Sequence, residues 1–133
     1  AAERDQLNVV ADQTGVPTTA AWLAELALRA MLLAEREGFK GLFHATPSGQ
    51  TTWHGYAQYV LTQAASRGWT FKATADQVHP ITTAQYPLPA QRPAYGLLDS
   101  SLLARSLQCD WPDWQAGVNQ VIAQLSQHLP AKV

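Results

Sequence analysis

The sequence predicts an α/β domain in which helices cover a small, partly parallel sheet. Three observations carry this reading: three long stretches repeat apolar residues at helical spacing, short β-branched or aromatic runs lie before and between them, and turn residues separate the segments. The expected order is strand, helix, strand, helix, weak strand, loop, helix, helix. A chain of 133 residues has room for one core, so residues 1–133 are read as a single domain.

The elements follow in order. Leu-Asn-Val-Val at residues 7–10 reads as a strand ended by a turn from Asp12 to Gly15. Thr18 is the expected N-cap of the first helix, in which Leu23, Leu26, Ala27, Ala30 and Leu33 recur at helical spacing until Gly38 stops them. Residues 41–46, between Gly41 and a Pro-Ser-Gly turn, form a second apolar run of strand length. Trp53, Tyr56, Ala57, Val60, Leu61 and Ala64 then make a helical stripe, capped by Thr52 and ended by Gly68, that places Trp53 in the core. Residues 71–83 read as a weak strand and loop, because the alternation is poor and Pro80 interrupts it.

Pro87, Pro89 and Pro93 favour extended backbone and withhold amide donors, so residues 82–93 are expected to form a surface loop. Asp99 is the expected cap of a short helix reaching Leu107. Pro112 is placed in the first turn of a last helix whose stripe is Trp114, Val118, Val121, Ile122, Leu125 and Leu129. The tail beyond Pro130 is expected to fray.

Composition excludes several classes. A hydrophobic fraction of 47% with 14% charged residues and a net charge of -1 is that of a globular domain, with neither a polybasic nucleic-acid face nor a disordered acidic tail. The longest apolar stretch is broken by Glu25 and Arg29, so no membrane span is expected. One cysteine, Cys109, allows no internal disulfide or cysteine-based zinc cage, which fits a cytoplasmic setting. The chain begins at Ala1 with no methionine and no leader, and is read as part of something longer.

The chain carries no Gly-x-Gly-x-x-Gly turn, Walker loop, His-Glu-x-x-His or Gly-x-Ser-x-Gly elbow, and none of Tyr56, Tyr59, Tyr86 or Tyr95 is followed four positions later by lysine. His44 and His54 flank a glycine-containing turn but lack the further ligands a metal needs, so no metal is expected. Trp22 and Trp111 belong to no stripe and are candidates to face a neighbouring domain. Arg92, in the proline-rich loop, can grip a diphosphate with both prongs of its guanidinium or simply stay solvated. Gln13 and Thr18, around the Gly15 turn, can hydrogen-bond a ligand or serve the turn and the helix cap. Composition does not decide among these.

Four segments in order carry a resemblance: LNVVADQTGVPTTA (7–20), GLFHATPSGQTTWHGYAQ (41–58), ITTAQYPLPAQRPAYGLLDSSLL (81–103) and WPDWQAGV (111–118). Together they resemble the dTDP-4-dehydrorhamnose reductases, extended short-chain reductases, over nearly the whole chain. The Asp-Gln-x-Gly-x-Pro-Thr loop, the Gly-x-Thr-(Ser/Thr)-Trp turn, the Tyr-Pro-x-Pro-Ala-x-Arg-Pro loop and the Pro-Asp-Trp helix start are the matching motifs.

The resemblance implies the carboxy-terminal, nucleotide-sugar-binding part of a two-part enzyme. An amino-terminal Rossmann half, outside this sequence, would bind NADPH or NADH and hold the catalytic Thr, Tyr and Lys; no cofactor is expected on this chain. Reduction of the 4-keto group would finish dTDP-L-rhamnose, and this part alone would be inactive. Arg92, Gln13, Thr18 and Tyr86 are the substrate-binding candidates. The missing Rossmann domain is the expected partner, and the face it leaves bare is a route to self-association.

Two departures bear on these expectations. Tyr95, Gly96 and Leu97 stand where the family has Asn, Ser and Arg, which motivates the alternative of a non-catalytic, reductase-like binding or regulatory subunit. Ala21 and Gln124 align with glutamates that hold a dimer-bridging magnesium in some members, and neither is a charged oxygen ligand, so no such dimer is expected.

Overall fold

The computed structural model describes residues 1–128 of the chain, so Leu129 and the tail beyond Pro130 lie outside the described residues. It shows the expected α/β class. Strand β1 (Leu7–Val10) pairs in parallel with β4 (Val78–Ile81), with Leu7 opposite Val78 and Val9 opposite Pro80. A sheet of two strands is all edge, where proline can sit without breaking a second ladder, and this is why Pro80 does not abolish the strand. A second, antiparallel pair joins β2 (Thr14–Gly15) to β3 (Thr51–Thr52) inside what the sequence suggested was only a turn.

Four α-helices lie among the described residues: α1 (Ala20–Glu37), α2 (Trp53–Ala65), α3 (Ser101–Leu107) and α4 (Trp114–His128). Gly38 ends α1 in the left-handed region at φ 67°, where a side chain would be strained, and its N–H donates to the Ala34 carbonyl. The N-cap of α1 is Thr19 and not Thr18, and it caps through backbone position alone. Thr52 caps α2 as expected, its hydroxyl accepting from Gly55 N at 3.1 Å.

Asp99 lies one residue outside the N-cap of α3 and accepts from Ser101 N at 2.9 Å, which holds its carboxyl below the ordinary range. Pro112 is likewise outside α4. Its carbonyl receives Ser48 N at 2.9 Å, and Trp114 N reaches Ser48 O, so this stretch is a bridge to residue 48 and not a helical turn.

The core lies between α2 and α4. Ala64, Trp114, Val118 and Ile122 are buried together, with Tyr56, Tyr59, Val60, Trp69 and Phe71 packed around them. Tyr59 and Tyr56 meet Trp114 edge-on, at ring separations of 4.9 and 6.1 Å. Trp69 Nε1 donates to Ser126 Oγ at 2.9 Å, which gives this half-buried indole its polar partner. Trp53 is not part of this core: at the first position of α2 it is 51% exposed, because the helix stripe overhangs the packed region at that end.

Residues 41–46 form no strand. A strand needs a neighbour to bond with, and no strand among the described residues runs beside them. Gly41 has φ 140°, Phe43 stacks back on Phe39 at 4.5 Å, and Leu42 stands 89% exposed. Helix α1 buries only Leu26 and leaves Leu23, Leu28, Met31 and Leu32 open to solvent. Leu28, Met31 and Leu32 fall on one side of the helix, and so much open apolar surface has the composition of a covered one. Trp22 and Trp111 do not project freely. They are half-buried and meet edge-on at 5.1 Å, with Trp111 Nε1 donating to Thr46 O.

Candidate functional site

A cleft of about 470 Å³ opens where the two strands of the antiparallel pair meet the start of α2 and the end of the proline-rich loop. Its wall runs from Gln13 to Thr18, continues through Thr51, Thr52, Trp53 and Tyr56, and closes with Arg92, Pro93 and Gly96. The volume lies within the roughly 300–1,000 Å³ of small-molecule sites. Pairing of Thr14 with Thr52 and of Gly15 with Thr51 fixes the floor. A Cβ at Gly55 would come within 2.7 Å of Thr51 Oγ1, so a larger residue there would have to displace the Thr51 side chain from the floor.

The loop that carries Arg92 is fastened at both ends to the residues of the floor. At its start, the Asp12 carboxylate accepts from Thr83 N at 2.9 Å and from Thr83 Oγ1 at 2.7 Å, and Gln13 Nε2 donates to the same hydroxyl at 3.0 Å. At its end, Thr14 N donates to Ala94 O at 2.8 Å and Gly96 N to Thr14 O at 2.9 Å. Arg92 itself makes no hydrogen bond or ion pair among the described residues, so its charge at the cleft rim is uncommitted.

The bonds from Thr83, its backbone amide first and its hydroxyl second, hold the Asp12 carboxyl below its ordinary value of 3.8. A carboxylate depressed by folding stabilises the fold above its unfolded pKa, and that contribution is lost as pH falls through the lower folded value. Asp12→Asn should therefore loosen the loop at neutral pH and flatten part of the acid-unfolding profile below about pH 4, to which Asp99 also contributes. Circular dichroism from pH 7 to pH 2 checks this; identical profiles for the two proteins would refute it.

Of the four expected substrate-binding residues, the structure brings three to this cleft: Gln13, Thr18 and Arg92. Gln13 is 9% exposed with its amide donor committed to Thr83, so it holds the wall and the loop together. Thr18 Oγ1 makes only a long bond to Val16 O, at 3.4 Å, and stays available. Tyr86 is 54% exposed and does not line the cleft. Sequence reasoning missed Thr14, Thr51, Thr52, Trp53 and Gly96, which reach the cleft from three distant segments. The Trp53 ring was the one readable signal, and the helical stripe assigned it to the core.

His54 lies on α2 with Nε2 donating to Val78 O at 2.9 Å, tying that helix to β4. Among the described residues no group of three or more His, Cys, Asp or Glu side chains is placed to hold a metal ion. No described helix is long and apolar enough to cross a membrane.

Fold and cleft together define a ligand-binding α/β module whose cleft is lined by apolar and aromatic side chains together with hydroxyls, an amide and one guanidinium. Comparison with known proteins narrows this. Residues 1–127 match the family model described as the RmlD substrate binding domain. The dTDP-4-dehydrorhamnose reductase of Burkholderia thailandensis is 34% identical over 130 residues, a match spanning 94% of this chain and 44% of that protein. Two solved dTDP-4-dehydrorhamnose reductases share the fold. That of Clostridium acetobutylicum is 28% identical with a TM-score of 0.74, and that of Bacillus anthracis, in complex with NADP, is 24% identical with a TM-score of 0.77. Each match covers 92% of this chain and 39% of the other. The chain belongs to the RmlD substrate binding domain family, and it spans about two fifths of the length of these relatives.

Proposed function

We propose that this chain is the nucleotide-sugar-binding part of a dTDP-4-dehydrorhamnose reductase, with residues 1–133 acting as one carboxy-terminal domain behind an amino-terminal Rossmann half. The observation that carries the reading is the cleft itself, which Thr18 and Arg92 both line, Arg92 having no hydrogen-bond or ion-pair partner among the described residues. Arg92 grips the diphosphate, Thr18 and the Gln13 wall position the nucleotide-sugar, and Tyr86 joins from the loop when the second half is present.

The described residues do not form a dinucleotide cradle. β1 leads through Ala11 and Asp12 into another strand, not through a glycine-rich turn into a helix, so the cofactor, NADPH or NADH, belongs to the other half. This chain's part is to orient the keto-sugar and exclude water from it. The exposed apolar residues of α1 and the exposed Leu42 suit contact with that half, and in its absence they promote self-association. A cytoplasmic location fits a pathway that consumes a nucleotide-activated sugar.

The test compares the complete gene product with the 133-residue chain. The complete product should oxidise NADPH only when the 4-keto sugar nucleotide is supplied, while the 133-residue chain should oxidise none and should self-associate by light scattering. A complete product that binds the nucleotide-sugar without oxidising NADPH would favour the regulatory subunit instead, the reading motivated by Tyr95, Gly96 and Leu97. A complete product that binds no nucleotide-sugar would overturn both.

A further inference from the structure

We infer that Trp53 is the stacking platform for the nucleobase, the residue that makes the cleft select a nucleotide over a bare diphosphate. The inference rests on the cleft being the nucleotide-sugar site. The helical stripe of α2 assigns Trp53 to the core, yet the side chain is half exposed and lines the cleft. Nothing in the core needs it, since the packing against α4 is made by Tyr56, Tyr59 and Val60.

The backbone that carries the ring is held in place. Trp53 is the first residue of α2, directly after Thr52, whose hydroxyl caps the helix and whose backbone pairs with Thr14 in the floor. Its ring has no aromatic partner among the described residues, unlike Trp22, Trp69, Trp111 and Trp114. An indole held on a fixed helix start, open on the side of a ligand cleft, is suited to stack a flat heterocycle, and every nucleobase presents one. Arg92 lines the same cleft, so one wall takes the planar end of a nucleotide while the guanidinium takes its diphosphate.

The experiment titrates the complete gene product with dTDP and with inorganic diphosphate, in the wild type and in Trp53→Leu, Trp53→Phe and Arg92→Ala. Leucine keeps apolar bulk and helix propensity without a π-face, and phenylalanine keeps a ring. Trp53→Leu should weaken dTDP roughly tenfold and leave diphosphate unchanged, Trp53→Phe should stay within about threefold of wild type, and Arg92→Ala should weaken both ligands. Equal dTDP affinity in wild type and Trp53→Leu, with Arg92→Ala still defective, would overturn the role of Trp53 and leave the cleft reading standing. A defect confined to dTDP-rhamnose, with dTDP unaffected, would also overturn it, because the ring would then face the hexose. Loss of diphosphate along with dTDP in Trp53→Leu would mark a structural role, and a wild type that binds no dTDP would sink the cleft reading first.

Discussion

Trp114→Ala should lower the unfolding free energy by roughly 3–5 kcal/mol, the range for removing a large buried aromatic. Trp114 is 5% exposed and sits at the centre of the packing between α2 and α4, with Tyr56 and Tyr59 edge-on against it. Each such aromatic pair adds about 0.5–1.5 kcal/mol beyond area burial, and truncation would lose both pairs and leave a cavity among Ala64, Val118 and Ile122. Against a total stability of about 5–15 kcal/mol, such a loss would bring a small domain near its folding threshold. Urea unfolding followed by circular dichroism measures it, and a change under about 1 kcal/mol would show that the α2–α4 contact is not the core. The site would suffer too, since the same contact fixes the start of α2 and with it Thr52 and Trp53.

The comparison between Trp114 and Trp53 shows what a sequence can and cannot convey about such a fold. Both residues sit on stripes of helical spacing, and spacing reports only which face of a helix they share. Whether that face is covered at a given turn depends on where the partner helix ends, which is a tertiary fact. Strand β1, helices α1, α2 and α4 and the stop at Gly38 were legible because each is fixed by local periodicity and capping. Residues 41–46 were misread for the opposite reason: their β propensity is real, but a strand exists only with a neighbour, and none of the described residues supplies it.

The cleft was partly legible. Gln13, Thr18 and Arg92 stood out because loop residues with polar, two-pronged or capping side chains suit ligands wherever they occur, and the family motifs pointed to the same loops. Thr51, Thr52 and Gly96 did not, because their role comes from pairing with residues 14 and 15 across the fold. Thr52 was recognised as a cap, and its second role, as floor, is visible only when β2 lies beside it. Asp12 was read as a turn residue, whereas its carboxylate clamps the loop 71 residues away.

Arg92→Ala should weaken binding of dTDP to the complete gene product roughly 10- to 100-fold, the equivalent of about 1.5–3 kcal/mol for hydrogen bonds to a charged group. The guanidinium is exposed and has no partner among the described residues, so its removal leaves no buried group unpaired and should change stability by less than about 0.5 kcal/mol. That separation between affinity and stability is what distinguishes a ligand contact from a structural one. Its backbone is held two residues away, where Ala94 O accepts from Thr14 N, so the substitution should leave the loop in place. Arg92→Lys would keep the charge and lose the planar fork, and should fall between wild type and alanine if the diphosphate is gripped by both prongs. Raising the salt concentration should narrow the gap between wild type and alanine, because the contact is charged and partly open to solvent. Titration calorimetry at two ionic strengths reads both effects; an alanine variant within twofold of wild type at low salt would return Arg92 to the ordinary solvated surface.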